Sequence, residues 1–241
     1  MPFFYRNRSF TAYLPAFFVA RHNKRGCEPV NDLNPSAQDS RLEIRVDLQL
    51  IADMIDSGSR VLDVGCGDGT LLDYLVNLKG VDGRGIELST KGVNACVSAG
   101  LPVIQGDAET DLFDYPDKAF DYVVLSQTLP AMRAPMVTLG QLLRIGKRAI
   151  ISMPNFGYWR LRWRFMTRGR MPTSRALPYA WYDTPNIHVC TIRDFIDLCQ
   201  ENDVLIERGL FVDHSGKMRA LGQSLTMANL FGEQAIFLLQ K

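Results

Sequence analysis

Residues 61–69 read Val-Leu-Asp-Val-Gly-Cys-Gly-Asp-Gly, so an apolar strand pattern runs directly into a glycine-rich turn with two carboxylates, Asp63 and Asp68. The glycines of this turn are Gly65, Gly67 and Gly69. Glycine permits positive φ angles and lets a ligand approach the backbone closely. Residues 70–76 then return to apolar positions at helical spacing. The stretch therefore predicts a strand, a turn and a helix that bind a nucleotide-like ligand.

The charges and the glycine spacing of this turn disfavour a dinucleotide cofactor. Carboxylates repel a pyrophosphate at a helix N-terminus, and Asp63 and Asp68 flank the turn. The dinucleotide fingerprint also requires a third glycine where this sequence has Thr70. S-adenosylmethionine (SAM) fits the turn better, because it has no phosphate and its ammonium and sulfonium are attracted by carboxylates. We therefore expect SAM, or S-adenosylhomocysteine, as the bound cofactor.

Two further acids follow predicted strands in an order that suits SAM. Residues 85–89 predict a second short strand, and its acid, Glu87, comes about 20 residues after the turn, where a ribose diol is expected. Residues 102–108 predict a third segment, in which Asp107 is placed to accept a hydrogen bond from an adenine amino group. Three acids at successive strand ends resemble the class I SAM-dependent methyltransferase fold. The cofactor-binding residues that we predict are Asp63, Gly65, Cys66, Gly67, Glu87, Leu88, Asp107, Ala108 and Ser126.

The remaining elements predict an α/β fold with a doubly wound, seven-stranded, mostly parallel sheet. An amphipathic helix over residues 41–56 carries Leu48, Ile51, Ala52 and Ile55 on one face and precedes the first strand. Near-continuous apolar runs predict strands at 120–126 and 148–153, with a helix from 139 to 145 between them. Residues 203–212 and 234–239 predict two closing strands, partly antiparallel. The carboxyl ends of the parallel strands then form the ligand edge, where Ser126 also lies.

Composition fits one α/β domain. The chain has 241 residues, of which 46% are hydrophobic and 22% charged, and this length suits one sizeable domain better than two. Its net charge of +1 gives no general attraction to nucleic acid or membranes. Five cysteines without a C-x-x-C pair suggest neither a zinc site nor a disulfide framework, so we expect no metal and a reducing, cytoplasmic location. No apolar run approaches the length that spans a bilayer.

Residues 1–40 differ from the rest of the chain and are expected to form an appendage to a single domain at 41–241. They contain aromatic and basic residues around a short apolar run from Tyr13 to Ala20, and polar sequence follows. A basic stretch before an apolar one has the form of an export signal. However, Pro15 interrupts the apolar run and basic residues follow it at once. We therefore expect a poorly ordered, loosely attached segment.

The sequence does not reveal a methyl acceptor or a clear catalytic base. Many small-molecule methyltransferases of this class carry a histidine shortly after strand four, where this chain has Ala131 in the stretch from Ser126 to Met132. His188 and His214 remain as candidate bases, and we retain His188 because its loop is a candidate roof for the site. Isolated histidines are more often hydrogen-bonded structural residues than catalysts.

Three later stretches closely resemble the bacterial methionine biosynthesis protein MetW family: residues 125–132, 152–159 and 181–195. The resemblance extends from about residue 43 to the end of the chain. It implies an accessory or regulatory partner of homoserine O-acyltransferase with a methyltransferase-like fold and no established methyl acceptor. A free-standing methyltransferase acting on an unidentified small molecule is the alternative.

Residues 156–182 contain six arginines and no acidic residue. Arg160, Arg164 and Arg168 recur at helical spacing beside Trp159 and Trp163. Arginine and tryptophan are enriched at protein interfaces, so this tract is a candidate partner surface. A solvated helix face and a nucleic-acid surface are the alternatives. Because the overall charge is nearly balanced, we do not expect nucleic acid to be the partner.

Overall fold

The described part of the chain, residues 44–241 of a computed structural model, is built around one β-sheet. Its strands in chain order are β1 (Arg60–Val64), β2 (Asp82–Glu87), β3 (Val103–Gln105), β4 (Phe120–Ser126), β5 (Gly146–Pro154), β6 (Leu205–Asp213), β7 (Met218–Ala220) and β8 (Gly232–Gln240). Their order in space is β3-β2-β1-β4-β5-β8-β6-β7. Strands β1 to β5 pair in parallel, whereas β8 is antiparallel to both β5 and β6.

This doubly wound, mostly parallel sheet confirms the predicted fold class. It has eight strands where the sequence predicted seven, because β7 adds an antiparallel partner to β6. All three residues of β7 are exposed. A strand that buries no side chain has no apolar pattern, so β7 could not be recognised from the sequence.

Residues 44–241 contain eight α-helices, of which the first precedes β1 and the others connect or follow the strands. They are α1 (Val46–Asp53), α2 (Thr70–Asp73), α3 (Thr90–Ser98), α4 (Ala108–Asp111), α5 (Pro135–Ile145), α6 (Trp159–Arg168), α7 (Ile192–Glu201) and α8 (Leu225–Phe231). Helix α2 continues into a π-helical turn over Tyr74–Leu78, and short 3₁₀ turns occur at Leu112–Asp114, Leu129–Ala131 and Leu221–Gln223. Among residues 44–241 no helix is both long and apolar enough to cross a membrane.

Successive side chains of the central strands point to opposite faces of the sheet, so the core consists of two layers. Leu62 and Val64 of β1 pack in one layer, which also contains residues of α5 and α7. Val61 lies in the opposite layer, with residues of α1 and α2. Neighbouring side chains of a strand point to opposite faces, so both faces of β1 are covered by helices. Each fully buried aliphatic side chain contributes about 1.5 to 3 kcal/mol to this core.

Several predicted boundaries shift where a polar side chain caps a helix. The predicted strand 85–89 ends at Glu87, since Ser89 accepts a hydrogen bond from Gly92 N at 3.1 Å and caps α3. The predicted segment 102–108 is a strand only over Val103–Gln105, because Asp107 caps α4. Both capping residues, Ser89 and Asp107, have extended backbone. A strand predicted from sequence therefore continues into the capping residue and ends too late.

The structure tests the N-terminal predictions only from residue 44 onward. Helix α1 begins at Val46 and ends at Asp53, within the predicted 41–56. Residue Ile55 follows the helix but is buried with it, as the predicted face requires. Residues 41–43 of the predicted helix and the whole predicted appendage, 1–40, lie outside the described residues. The division of the chain at residue 41 stays a prediction.

Candidate functional site

The turn after β1 lies at the carboxyl edge of the parallel strands. Its three glycines have φ angles of +71° (Gly65), +60° (Gly67) and +82° (Gly69). At Gly69 a Cβ atom would stand 2.7 Å from a methyl carbon of Leu101 and 2.8 Å from the sulfur of Cys96. Glycine is required there by both conformation and space, because such contacts are shorter than side chains tolerate. This explains the local sequence: β1 must turn sharply and still pack closely on α3.

Glu87 joins the turn to the end of β2. Its Oε2 accepts a hydrogen bond from Gly67 N at 2.9 Å, and its Oε1 accepts one from Ser89 N at 2.8 Å. The carboxylate is only half-buried. A carboxylate oxygen accepts more than one hydrogen bond, so both oxygens retain capacity for hydroxyl donors such as a ribose diol. The backbone therefore fixes the orientation of this acid before any ligand binds.

Asp63 is a buried carboxylate without a protein donor. Its residue is 2% exposed, and no residue among 44–241 donates a hydrogen bond to its side chain. Burial, together with the neighbouring Glu87 carboxylate, raises the pKa of Asp63 to about 7. An unpartnered buried carboxylate is unfavourable. A ligand that brings a positive charge or a donor to Asp63 would remove this penalty.

The other predicted cofactor residues lie along the same edge. Asp107 Oδ1 accepts a hydrogen bond from Glu109 N at 2.9 Å, and Gly106 N donates to Glu87 O at 3.0 Å, which ties the ends of β2 and β3 together. Ala108 is half-buried as the first residue of α4, and Leu88 is exposed by 66% beside Glu87. At the end of β4 the Ser126 hydroxyl lies 3.1 Å from that of Ser152 on β5.

Cys66 of the glycine turn contacts a second thiol that sequence reasoning missed. Its sulfur lies 3.8 Å from that of Cys96 on α3. Burial and the Asp63 carboxylate raise the pKa of Cys66, and burial also raises the pKa of Cys96. Both sulfurs are therefore protonated thiols at neutral pH. The two residues are 30 positions apart, so no local pattern such as C-x-x-C could predict the contact.

Asp68 occupies the donors that a pyrophosphate would need. Its Oδ1 accepts hydrogen bonds from Thr70 N at 3.1 Å and from Thr70 Oγ1 at 2.7 Å. These are the first donors of helix α2. A carboxylate at this point repels phosphate oxygens. The sequence disfavours a dinucleotide cofactor, and the contacts of Asp68 support the same conclusion.

The edge as a whole fits SAM chemically. Asp63 offers an unpartnered carboxylate for an ammonium, Glu87 offers two oriented oxygens for hydroxyl groups, and Leu88 offers an exposed apolar side chain for a base. The residues that would hold the cofactor are therefore this chain's own acids and turn amides. When bound, SAM supplies an electrophilic methyl group on its sulfonium.

The segment after β4 has an unusual backbone that the sequence did not indicate. Gln127 has φ of +58°, and its N donates to Ser152 O at 2.9 Å. Its Nε2 donates to Gln234 Oε1 of β8 at 3.2 Å. A non-glycine residue in the left-handed region is strained by about 1 kcal/mol or more, and such strain is concentrated at functional sites. Gln127 thereby directs its amide toward the β8 side of the edge.

The predicted candidate base, His188, is tied to the same segment by its backbone. The N atoms of Ile187 and His188 both donate to Pro130 O at 2.9 Å. The imidazole of His188 is exposed, and within the described chain no side chain or carbonyl hydrogen-bonds it. A catalytic histidine is usually oriented by a second group. His188 therefore stays a candidate that only its loop position recommends.

Two cavities lie beside this edge, neither lined by Asp63 or Glu87. The larger, about 780 Å³, is bordered by Gln127, Arg175, Glu233 and Gln234. The smaller, about 360 Å³, is bordered by Tyr158, Trp159, Phe211 and other residues, among them His214. Both volumes fall in the range of small-molecule sites or just reach it. The larger cavity could not be predicted from local sequence patterns, because its lining comes from distant parts of the chain.

Helix α6 carries the arginine tract on an exposed surface. Of its ten residues Leu161 is buried, and residues 162–171 are all exposed. Exposed apolar side chains stand among the arginines, with Trp163 exposed by 57% and Met166 by 71%. Arg164 donates to Thr173 O at 2.7 Å, and the guanidinium of Arg160 lies 5.5 Å from the Trp159 ring centre. We call residues 159–171 the α6 surface.

Comparison with known proteins identifies sequence and fold relatives. A family model described as methionine biosynthesis protein MetW matches residues 45–239. A bifunctional methionine biosynthesis protein MetXA/MetW from Rhodopirellula baltica is 34% identical over 217 residues, which are 86% of this chain and 35% of that protein. A fatty-acid O-methyltransferase from Mycolicibacterium smegmatis is 34% identical over 122 residues, 47% of this chain and 44% of that protein. The chain thus spans less than half the length of either relative.

Solved structures share the fold. The crystal structure of a SAM-dependent methyltransferase from Archaeoglobus fulgidus matches with a TM-score of 0.59 and 18% identity, over 81% of this chain and 91% of that chain. Identity this low establishes the fold and not the activity. The match confirms the class I SAM methyltransferase fold that the acids at the strand ends predicted.

Proposed function

The chain belongs to the family of methionine biosynthesis protein MetW, and on that premise we propose that it is a SAM-binding accessory protein of homoserine O-acyltransferase. The proposal places it in the cytoplasm, in keeping with the two unpaired thiols of Cys66 and Cys96. Two statements make up this proposed function: the protein binds SAM, and it binds the acyltransferase. Different residues support each part.

The carboxyl edge supports the cofactor part. Asp63 is buried without a protein donor, so an ammonium group fits its carboxylate. Glu87 is held by two backbone amides and retains acceptor capacity for a ribose diol. Asp107 has one oxygen engaged by Glu109 N, which leaves the other for an adenine amino group. Each part of SAM therefore has a matching group at the end of a separate strand.

The observation that carries the partner part is the fusion in a relative. The Rhodopirellula baltica protein is named bifunctional MetXA/MetW, and this chain covers only 35% of it. Two activities on one chain are held together by the covalent link, which raises their effective concentration for each other. We infer that the remaining part corresponds to homoserine O-acyltransferase, and that the protein described by residues 44–241 binds that enzyme.

The α6 surface has the chemistry of a docking site. Tryptophan, methionine and arginine are the residue types that interfaces favour, and here they are exposed together on one helix. The tract 156–182 carries six positive charges and no negative one, although the whole chain has a net charge of only +1. We therefore propose that the acyltransferase presents an acidic surface with an apolar centre to this helix.

Binding of SAM gives the partnership a regulatory meaning. SAM is formed downstream of methionine, so its concentration reports the methionine supply. If SAM changes the affinity of this protein for the acyltransferase, the acyltransferase changes the affinity for SAM by the same factor. That reciprocity is measurable without any knowledge of the structural change between the two sites.

The decisive experiment measures acyl transfer to homoserine by the cognate acyltransferase, with and without this protein and with SAM varied. We expect stimulation and a complex whose affinity falls at high salt, because arginines dominate the α6 surface. Two variants separate the two parts. Trp163→Ala combined with Arg168→Ala should weaken the complex by about tenfold or more and leave SAM affinity intact. Glu87→Gln should do the reverse.

The contrary outcome is equally clear. If the acyltransferase neither binds this protein nor changes its rate at any SAM concentration, the accessory role is wrong. If each variant lost SAM affinity and acyltransferase affinity to the same extent, the cause could be general misfolding. A melting curve of each variant checks this.

Methyl transfer to a small molecule is the second candidate function. The observation that favours it is the similarity to the fatty-acid O-methyltransferase of Mycolicibacterium smegmatis. His188, held above the segment after β4 by the bond from its N to Pro130 O, is the base that this function would use. The test follows S-adenosylhomocysteine production with small-molecule acceptors. His188→Gln should then lower the methylation rate and leave SAM affinity unchanged.

A further inference from the structure

The larger cavity lies on the β8 side of the carboxyl edge. Its lining includes Gln127, which follows β4, the first residues of β8, Glu233 and Gln234, and the end of β6. The cavity measures about 780 Å³, well within the range of small-molecule sites. Asp63 and Glu87 do not line it, so it is separate from the cofactor residues. Nothing in the family match assigns a ligand to it.

Glu233 is a buried acid that faces this cavity. The residue is 9% exposed, and its main-chain oxygen accepts a hydrogen bond from Asn155 N at 3.0 Å. Its carboxylate, by contrast, has neither an ion pair nor a hydrogen bond with any residue in the range 44–241. The carboxylate lines the cavity, where a cationic donor can pair with it. Glu233 therefore fits a ligand that brings a cationic donor.

The other acids of the cavity are already engaged. Asp47 accepts two hydrogen bonds from Arg45, at 3.1 and 2.7 Å. Asp213 accepts from Ser215 N at 2.8 Å, from Ser215 Oγ at 2.6 Å and from Lys217 N at 3.1 Å. Glu233 is consequently the carboxylate best placed to receive a ligand's positive charge.

The same cavity also offers a positive group for the negative charge of a ligand. Arg175 lines it with an exposed side chain, and no acid or carbonyl of the described chain pairs with its guanidinium. Arg45, the second arginine of the cavity, is occupied by Asp47. In the same lining, Gln127 Nε2 donates to Gln234 Oε1 at 3.2 Å, which leaves the second polar group of each amide for a ligand.

We propose that this cavity binds a free α-amino acid, with its ammonium on Glu233 and its carboxylate on Arg175. A zwitterion satisfies both poles at once, whereas an amine or an acid alone leaves one of them unpaired. Arginine forms bidentate pairs with carboxylates, which suits it to this end of the ligand. The inference goes beyond the proposed function, because it requires neither SAM nor the acyltransferase.

The test measures binding to the full-length protein by calorimetry, with SAM and acyltransferase absent. The probes are L-methionine and L-homoserine, each compared with derivatives that lack one charge. N-acetyl-L-methionine lacks the ammonium, and L-methionine methyl ester lacks the carboxylate. We expect saturable binding of at least one free amino acid and a loss of about tenfold or more for each derivative.

Two variants assign each charge to its residue. In Glu233→Gln the preference for L-methionine over its N-acetyl derivative should disappear, while the preference over the methyl ester remains. In Arg175→Gln the pattern should be reversed. Arg170→Gln is the matched control, because Arg170 is an exposed arginine outside the cavity. Arg175 is also exposed, so its variant remains informative even if Glu233→Gln fails to fold.

Three results would overturn the proposal. One is the absence of saturable binding of either amino acid up to about 10 mM, far above typical small-ligand affinities. Another is binding that neither Glu233→Gln nor Arg175→Gln changes. The third is equal affinity for L-methionine and methylamine, which would make Glu233 a plain cation site. Since SAM and acyltransferase are left out, none of these results bears on the accessory role.

Discussion

The glycine turn after β1 and the α6 surface are two candidate functional regions of opposite construction. In the turn, backbone amides hold the Glu87 carboxylate, and a Cβ atom on Gly69 would collide with Cys96 and Leu101. On α6, Leu161 is the buried residue, and the large apolar side chains around it face outward. The first region is determined by contacts within the chain, whereas most side chains of the second are exposed.

This difference teaches how each region should respond to mutation. Residues of the turn contribute to packing and, in the function that we propose, to ligand binding, so changes there should affect the isolated protein. Exposed residues of α6 contribute little to folding, because surface substitutions usually change stability by less than about 0.5 kcal/mol. Their chemistry becomes important only against another molecule. Four predictions test the two regions against each other, and a fifth tests the predicted domain boundary.

The largest effect is expected from Gly69→Ala. The new Cβ would lie 2.7 Å from Leu101 and 2.8 Å from Cys96, at a φ angle of +82°. Left-handed strain and overpacking together should lower the free energy of unfolding by about 2 to 4 kcal/mol. Gly67→Ala is the control, because its φ is +60° but no atom lies within 4 Å of the new Cβ. Urea denaturation should rank the two variants in this order, and equal losses would refute the packing argument.

Asp63→Asn is expected to weaken SAM binding by more than about tenfold, roughly 1.4 kcal/mol, since an ammonium then faces a neutral amide. The same change should stabilise the cofactor-free protein above pH 7. Because the folded pKa of about 7 exceeds the ordinary 3.8, ionised Asp63 opposes folding. Its penalty is absent below about pH 4 and is complete once the pH has risen through 7.

The pH dependence of SAM affinity checks the same residue. The ammonium prefers the ionised carboxylate, so the affinity of the unmodified protein should increase as the pH rises through about 7. Calorimetry from pH 5.5 to 8.5 measures this slope, which Asp63→Asn should flatten. A slope that survives in Asp63→Asn would assign the effect to another group.

On α6, Trp163→Ala should change the free energy of unfolding by less than about 0.5 kcal/mol, because the side chain is 57% exposed. Leu161→Ala, in the same helix, removes a side chain that is only 3% exposed and should lower it by about 2 to 4 kcal/mol. Thermal denaturation of both variants makes the comparison. A large loss in Trp163→Ala would mean that the indole supports the fold and is not reserved for a partner.

The smallest effect is expected from deletion of residues 1–40. The predicted domain begins after them, so the melting temperature should stay the same within error. Differential scanning calorimetry of the full-length and shortened chains decides the point. A drop of several degrees would show that these residues belong to the folded unit, and the domain boundary predicted at residue 41 would be wrong.

Much of the fold was predictable because the central strands are buried on both faces. Residues such as Val123, Val124 and Leu125 give β4 an uninterrupted apolar sequence that solvent-facing elements do not have. Strand β2 begins at Asp82, three residues before its predicted start, because Asp82, Gly83 and Arg84 give no apolar signal. Local pattern therefore finds a strand where its side chains are buried and loses its ends where they are not.

The candidate site was predictable in part for a different reason. Glycine and acidic residues at strand ends form a local sequence pattern, so Gly67 and Glu87 were each predicted as cofactor residues, although the hydrogen bond between them was not. The contact between Cys66 and Cys96, and the exposure of Glu233 to a cavity, depend on distant segments meeting. Contacts between distant segments cannot be predicted from any single stretch of sequence.

The two margins of the sheet have a consequence for the behaviour of the protein at high concentration. Strands β3 and β7, which are the outermost strands of the sheet in residues 44–241, contain three residues each. An outer strand presents unpaired N–H and C=O groups that recruit strands from other molecules, and its length sets the strength of that attraction. Arg219, the central residue of β7, adds a charge to one margin. However, β7 pairs only with Leu210, Phe211 and Val212 of β6, so within the described chain the first residues of β6 have no strand beside them on that side. This open part of β6, rather than β7 itself, is where another strand could add while the chain refolds.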